Sequence, residues 1–204
     1  MELSNPHVID GPYLPNHLKD VDARRALLAE IKQDFKVSKL VKAVSDNIVV
    51  FDGLHKGSRV IFAYNTKSND IAYWVKLQPL KPTWSVKAPK GLKGEFLYQS
   101  SVWRSSDPDE YLGLGADFAA NIFNKLGEKY NMFSDDTQSE LGKRFWLRRI
   151  SQALEAGRRV WALEFDKTRI VSVEEIKLNM TINKYWSHGD DYSGHWWRIL
   201  IDRK

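Results

Sequence analysis

The stretch from Phe96 to Phe165 constrains the fold more than any other part of this chain. It reads as an apolar strand, then a turn containing Gly113 and Gly115, then a helix, a short strand, a second amphipathic helix and a closing strand. The apolar residues of the helices recur at helical spacing, whereas the strands are rich in β-branched and aromatic residues. A strand that leads through Gly-X-Gly into a helix points backbone N–H groups at the helix start, which is an anion-binding geometry.

The segments on either side of this block predict further strands and one long helix. Residues 22–44 have apolar side chains at helical spacing and predict a helix. Residues 46–80 predict an antiparallel meander, because β-branched and aromatic runs alternate with turn sequences. Residues 81–94 predict a loop, and residues 177–204 predict two strands, LNMTINKYW and WWRILIDR, joined by SHGDDYSGH. The proline-rich residues 1–21 predict an irregular arm.

The composition excludes several classes of protein chemistry. The 204 residues include no cysteine, so disulfides, zinc–thiolate sites and cysteine nucleophiles are excluded, and we expect a reducing cytoplasm. No apolar run approaches the ~20 residues that a membrane span requires, and the first residues do not have the pattern of a signal peptide. A hydrophobic share of 43% and a net charge of +5 indicate an ordinary globular chain. We therefore predict an arm over residues 1–21 and a single domain over residues 22–204.

Acidic residues follow the short strand of the central block. Asp135 and Asp136 come at the end of this strand, where a carboxylate could act as a general base, and two adjacent acids could raise each other's pKa. Ser134 could orient a group beside them. The alternative is that the two acids cap the next helix. His188 and His195 flank two further acids and could bind a metal, but the glycine-rich composition favours an exposed hairpin loop, so we predict no metal site.

The order of these elements resembles the GNAT superfamily of acyl-coenzyme A-dependent N-acyltransferases over roughly residues 46–175. Glu110-x-x-Gly113-x-Gly115 has the spacing of the family motif Gln/Arg-x-x-Gly-x-Gly/Ala, and SDDTQSELGKRFW is similar to small acetyltransferase-like proteins of bacteriophages. The resemblance implies a single α+β domain with a central mixed, mostly antiparallel sheet flanked by helices. It also implies that acetyl-CoA is the cofactor. The residues implied to contact it are Val102, Trp103, Arg104, Gly113, Leu114, Gly115 and Ala116.

The same resemblance implies transfer of an acyl group, acetyl as the first choice, to an amine acceptor that could lie on a host macromolecule. Asp135, Asp136 and Ser134 are the expected catalytic residues. Two differences from the family leave an alternative open. Glu110 stands where the family has Gln or Arg, and Phe145-Trp146 stands where the family often has a tyrosine as general acid. The alternative is a catalytically inactive GNAT-like protein that binds a host protein.

A weaker alternative is nucleic-acid binding. Basic residues flank the second helix from Lys143 to Arg149, and Arg158-Arg159 follow it. Arg198 lies among aromatic residues that could stack on bases of a single strand. This function would require the basic residues to form one patch, and binding would weaken steeply with salt.

Overall fold

The computed structural model describes residues 20–34, 36–45, 47–105, 114, 117–134, 140–178, 180, 182–186 and 195–203. The described chain is divided between two compact units, which are treated separately below. The first unit comprises Met1–Gln78 and Ser100–Phe118, and the second comprises Pro79–Gln99 and Ala119–Lys204. Helices accompany mostly antiparallel strands in the described chain, so the predicted α+β class is confirmed. A single domain over residues 22–204 stays a prediction, and the arm over residues 1–21 lies almost wholly outside the described residues.

The first unit is a helix on an antiparallel meander. Two-residue and four-residue turns connect the later strands, and the turn at Lys56-Gly57 has positive φ at both positions (47° and 75°), as tight hairpins require. The strand order is β1-β2-β3-β4-β6, and Ser105 N–H donates to the Ala72 carbonyl at 3.0 Å beyond the end of β6. The elements are α1 (Val21–Asp34), β1 (Lys36–Ser45), β2 (Ile48–His55), β3 (Ser58–Asn65), β4 (Asp70–Leu80) and the second half of β6 (Phe96–Arg104).

The predicted helix over residues 22–44 is wrong beyond Asp34. The structure ends α1 at Asp34 and forms β1 over Lys36–Ser45, paired antiparallel with β2 through a register with three irregularities. The apolar residues of this segment satisfy helical spacing, but three of them are β-branched valines that also fit a strand. Pairing with β2 satisfies a row of backbone groups, and this tertiary contact outweighs the local pattern.

Polar and apolar contacts together fix α1 to the sheet of the first unit. Asp20 caps the helix, because its Oδ1 accepts a hydrogen bond of 2.7 Å from Ala23 N–H. The Arg24 guanidinium donates from Nε to Asp70 Oδ1 at 2.9 Å and from Nη2 to Asp70 Oδ2 at 2.7 Å, and both side chains are buried. The apolar core beneath the helix consists of Leu27, Leu28, Ile31, Val60, Phe62, Ile71 and Trp74.

The second unit has a sheet whose strand order differs from the sequence order. The order is β6-β7-β10-β8-β9-β5, in which β6–β7 and β9–β5 are parallel pairs and the others are antiparallel. The C-terminal strand β10 thereby lies between β7 and β8. The remaining elements are β5 (Thr83–Trp84), α2 (Phe118–Gly127), β7 (Asn131–Phe133), α3 (Glu140–Glu155), β8 (Val160–Asp166), β9 (Arg169–Ile176), a 3-10 helix (Asn183–Tyr185) and β10 (His195–Ile201).

One face of this sheet carries an aromatic and aliphatic core. The residues at its centre are buried because alternate side chains of β7, β8 and β10 point to the same face. Residues of the 80–92 segment pack against this core, including Trp84 and Leu92. The buried members of the core are Phe133, Trp161, Leu163, Phe165, Ile170 and Leu200.

Two predictions for the last third of the chain are corrected here. LNMTINKYW, residues 178–186, is not a strand where it is described: it includes a turn and the 3-10 helix at Asn183–Tyr185. The Tyr185 ring packs against Trp197 with ring centroids 5.0 Å apart, and this contact holds the short helix against β10. The predicted C-terminal strand is confirmed as His195–Ile201. The predicted loop over residues 81–94 contains the short strand β5.

Candidate functional site

Three of the predicted cofactor residues, Val102, Trp103 and Arg104, lie at the end of β6. Val102 is half-buried on β6, and the backbone of Trp103 and Arg104 continues this strand to its end. Leu114 is buried. Gly113, Gly115 and Ala116 lie outside the described residues, so the predicted diphosphate contacts of the turn stay a prediction. The predicted helix after the turn is confirmed from Phe118 to Gly127.

The strands on either side of α2 form a short parallel pair. Phe96, Leu97 and Tyr98 of β6 pair with the three residues of β7, and this pairing ends at Phe133 although β6 continues to Arg104. Ser134 continues the pairing of β7 with β10 beyond this point, because its N–H donates to the Ile199 carbonyl at 2.9 Å. The parallel strands are therefore hydrogen-bonded only at their amino ends in the part of the chain that the structure describes.

Ser134, one of the predicted catalytic residues, has a structural contact at the end of β7. The Ile199 N–H donates to Ser134 Oγ at 3.0 Å, and the residue is buried. The hydroxyl therefore extends the pairing of β7 with β10 by one hydrogen bond. Asp135 and Asp136 lie outside the described residues. Their proposed part in proton transfer stays a prediction, as does any catalytic part for Ser134.

Phe145 and Trp146 of α3 pack on α2. The Phe123 ring lies 5.8 Å from the Phe145 ring and 5.1 Å from the Trp146 ring, and both pairs are perpendicular within a few degrees. Such edge-to-face pairs are favourable beyond their burial. The resembled family often has a tyrosine that acts as general acid at this position. In this chain Phe145 and Trp146 stand there instead, and both take part in the packing between α2 and α3.

The basic flank of α3 is not a row of exposed cations. Arg144 and Arg148 are exposed, but Arg149 is buried and its guanidinium lies 5.3 Å from the centre of the Phe145 ring. The prediction that Lys143 to Arg149 form a surface for nucleic acid is therefore wrong for Arg149. Arg149 lies four positions after Phe145, so the two side chains share one side of the helix.

Arg198 lies between two aromatic rings on the sheet of the second unit. Its guanidinium carbon is 5.0 Å from the centre of the Tyr98 ring and 5.4 Å from that of Phe165, and 9% of the residue is exposed. Trp196 also stacks with Phe165, with an interplanar angle of 3°. Both aromatic partners of Arg198 are thus supplied by the protein itself, which argues against the predicted use of this arginine beside stacked bases.

A charged cluster that the sequence did not single out joins β9 to the 3-10 helix. Lys184 Nζ and the Tyr185 hydroxyl donate to the same oxygen of Glu174, Oε2, at 2.7 and 2.5 Å. The hydrogen bond from Lys184, followed by that from Tyr185, lowers the pKa of Glu174. Burial, followed by the bond to Glu174, raises the pKa of Tyr185. A spacing of ten residues between an acid and a lysine is no sequence signal, which is why this cluster was missed.

An apolar groove of about 400 Å³ lies between α3 and the segment after β9. Leu178 and Met180 beside it are exposed large apolar side chains. Ser134, the predicted site residue that the structure describes in the second unit, is not among the residues that line the groove. The groove is lined by Leu147, Ile150, Ser151, Leu154, Glu155, Ile176, Lys177, Leu178, Met180 and Ile182.

Comparisons with known proteins found no match among protein-family models, curated proteins or solved structures. Within the described ranges no three His, Cys, Asp or Glu side chains are grouped so as to hold a metal ion. The alternative of a metal at His188, Asp190, Asp191 and His195, which the sequence disfavours, is untested because all of these residues but His195 lie outside those ranges. None of the helices in the described chain is long and apolar enough to cross a membrane. The functional reading of this chain therefore depends on the geometry of β6, α2 and β7.

Proposed function

We propose that this protein transfers an acyl group, acetyl as the first choice, from acyl-CoA to an amine. The observation that carries the proposal is the parallel pair β6–β7, which is connected through α2 and is hydrogen-bonded over only three residues of each strand. Among the described residues β7 does not pair with β6 beyond Tyr98, and in this proposal the later backbone groups of β6 bond to the amides of the ligand. This is the arrangement in which the resembled acyltransferases hold the pantetheine arm.

The chain around this pair supplies the groups that a diphosphate needs. Gly113, Gly115 and Ala116 have small side chains, so the backbone between β6 and α2 can approach phosphate oxygens closely. Backbone N–H groups at a helix start favour negative charge through both hydrogen bonds and the helix dipole. Val102, Trp103 and Arg104 would contact the pantetheine arm along the last residues of β6.

The chemistry requires an amine that has lost its proton. Asp135 or Asp136 would accept this proton, directly or through water, and the amine nitrogen would then attack the thioester carbon. A backbone N–H would stabilise the oxyanion of the tetrahedral intermediate. Collapse of that intermediate breaks the carbon–sulfur bond, and the thiolate leaves and takes up a proton as free CoA. Much of the rate would come from holding the two reactants in contact.

Thermal unfolding with acetyl-CoA tests this proposal. At a ligand concentration a hundredfold above its dissociation constant, the free energy of unfolding should rise by ~2.7 kcal/mol. Gly115→Val should abolish this gain because the new side chain would block the approach of phosphate to the backbone. Asn121→Val, on an exposed position of α2, is the matched control and should retain the gain. The absence of any stabilisation by acetyl-CoA or CoA in the unaltered protein would overturn the proposal.

A second candidate function is an inactive protein of the same architecture that binds a host protein. The observation in its favour is the packing of Phe145 and Trp146 against Phe123, which leaves no tyrosine hydroxyl there to protonate the leaving thiolate. The two functions differ in turnover. Release of free thiol from acetyl-CoA in the presence of polyamines or lysine-rich peptides, lost in an Asp135→Asn/Asp136→Asn variant, would support the enzyme. Stabilisation by CoA without any thiol release from these acceptors would favour the binding protein.

A further inference from the structure

The apolar groove of the second unit has a helical side and a loop side. The residues of α3 that line it recur at helical spacing, so they form one stripe along a single side of the helix. The other side comes from the end of β9 and the segment after it, where Leu178 and Met180 are 56% and 38% exposed. Exposed large apolar side chains beside an apolar groove are typical of an interaction surface. The stripe of α3 consists of Leu147, Ile150, Ser151, Leu154 and Glu155.

Hydrogen bonds fix the loop side of the groove at both of its ends. Met180 N–H donates to the Lys177 carbonyl at 3.2 Å, and Lys177 N–H donates to Met180 Sδ at 3.2 Å. Further along the chain, Tyr185 N–H donates to the Ile182 carbonyl at 3.1 Å, and the Tyr185 hydroxyl donates to Glu174 of β9. The shape of the groove is therefore set by contacts within the chain.

The charged residues that line the groove are one acid and one base. Glu155 is the last residue of α3, Lys177 follows β9 directly, and both side chains are exposed. The ion pairs found among the described residues include neither of them, whereas Glu174 of β9 is paired with Lys184. An acid and a base on one surface can each bind a group of opposite charge from another molecule.

These features make the surface of the groove complementary to itself. It combines an apolar recess with exposed apolar side chains beside that recess, and it combines an acid with a base. In an isologous contact both copies of a chain use the same surface, so each feature of one copy can meet its complement on the other. Leu178 of each copy would enter the recess of the other copy, and Glu155 of each copy would lie opposite Lys177 of the other.

We propose that the groove is the contact surface of a two-fold symmetric dimer of this chain. A small molecule suits the groove less well, because ligand sites bury roughly 70–90% of their ligand whereas Leu178, on the wall of this groove, is more than half exposed. An unrelated protein would need an apolar side chain, a recess, an acid and a base in matching places, and a second copy of this chain has all four. A contact of this size is small for a dimer, so we expect a dissociation constant in the micromolar range.

Sedimentation equilibrium of the full chain, between about 1 and 500 μM protein, tests this proposal. The average mass should rise with concentration from that of one chain towards that of two. Leu178→Glu should weaken dimerisation by about tenfold or more, because it places an unpaired charge in each half of the contact. Leu54→Glu is the matched control, since Leu54 is 58% exposed and lies in the first unit, and it should leave dimerisation unchanged. Thermal unfolding checks that both variants fold.

An exchange of charges between copies tests the pairing of Glu155 with Lys177. Glu155→Lys and Lys177→Glu should each weaken self-association, because each variant places like charges opposite each other at both of these contacts. A one-to-one mixture of the two variants should associate more tightly than either variant alone, because both contacts then join opposite charges. Both variants keep a net positive charge, so attraction between unlike net charges cannot cause this gain. Glu128→Lys mixed with Lys67→Glu, both at exposed positions outside the groove, is the control and should show no gain.

Three results would overturn the proposal. The first is an average mass of one chain at every concentration, which would leave the groove to a different partner. The second is a loss of dimerisation in Leu178→Glu that is no larger than in Leu54→Glu, which would mean that the chains meet through another surface. The third is a mixture of the two charge variants that associates no better than either alone. The assay contains no acyl-CoA, so the proposed acyl transfer is judged separately by the thermal test with acetyl-CoA.

Discussion

The helix of the first unit and the helix pair of the second are anchored by different interactions. In the first unit, α1 is joined to β4 by the two hydrogen bonds of the buried Arg24–Asp70 pair. In the second unit, α2 and α3 meet through aromatic rings, with Phe123 packed edge-to-face on two rings of α3. A buried ion pair fails when either partner is lost, because the remaining charge has no counter-charge. A ring cluster distributes its energy over several contacts, so we expect it to tolerate changes better.

The largest effect is expected for Asp70→Asn in the first unit. The amide cannot balance the buried charge of Arg24, so the free energy of unfolding should fall by ~3–5 kcal/mol in urea denaturation. Asp52→Asn is the control, because the Arg59–Asp52 pair has the same bidentate geometry but is more exposed, with side chains 25% and 19% accessible. Asp52→Asn should lower the free energy of unfolding by ~1 kcal/mol or less. If the two variants lost equal free energy of unfolding, burial of the Arg24–Asp70 pair would not make its disruption more destabilising.

A smaller effect is expected for Phe123→Leu in the second unit. Leucine retains most of the apolar volume but loses the edge-to-face contacts with Phe145 and Trp146, so the loss should be ~1–2 kcal/mol in the same assay. Phe145→Leu removes a ring that is only half-buried and should cost less. If Phe123→Leu destabilised the protein as much as Asp70→Asn, the proposed difference in tolerance between the two anchors would be refuted.

A loss of ~1 kcal/mol is expected for Asp20→Ala, since this change leaves Ala23 N–H without its capping acceptor. Asp20→Asn should cost little, because asparagine caps helices about as well as aspartate. Circular dichroism during urea titration would measure both changes. A loss of the same size in both variants would show that the negative charge, and not the hydrogen bond, is what matters at the start of α1.

The smallest effect is expected at the Glu174 cluster and depends on pH. The pKa of Glu174 is lowered in the folded protein from its ordinary value of 4.5, so its stabilising contribution is present above pH 4.5 and is lost as the pH falls through the folded value. The pKa of Lys184 is raised from 10.5, so its contribution is present below pH 10.5 and is lost as the pH rises through the folded value.

The melting temperature of a Glu174→Gln variant should therefore lie slightly below that of the unaltered protein at pH 7. The difference should decrease as the pH is lowered below 4.5, and it should shrink at high salt because the Lys184–Glu174 pair is exposed. A difference that is the same at pH 7 and pH 3 would mean that packing, and not charge, accounts for the effect of this substitution.

Local signals predicted the strands of the meander and the helices of the central block well. The turn at Lys56-Gly57 and the runs on either side of it specify β2 and β3, because residues two apart in sequence form the hairpin. The prediction of a helix over residues 36–44 is wrong because the valines of this segment fit the spacing of a helix as well as that of a strand. The distinction required the pairing partner β2, and no local pattern contains that information.

The candidate site was predicted only in part for a related reason. The strand before the glycine residues and the helix after them follow from the order of residues along the chain. The contacts of Arg198 with Tyr98 and Phe165 join three strands that are distant in sequence, so no spacing rule indicates them. The burial of Arg149 likewise depends on how α3 packs in the folded chain.

By itself, the sequence determined which segments of this chain can be strands, which can be amphipathic helices and where glycine allows sharp turns, because these depend on the preferences of neighbouring residues. It also determined that no cysteine chemistry is available. Only the tertiary structure decided that β10 lies between β7 and β8 and that Arg24, Arg149 and Arg198 are buried. These outcomes arise from contacts between residues far apart in sequence, and their energies depend on burial and distance, which exist only once the chain is folded.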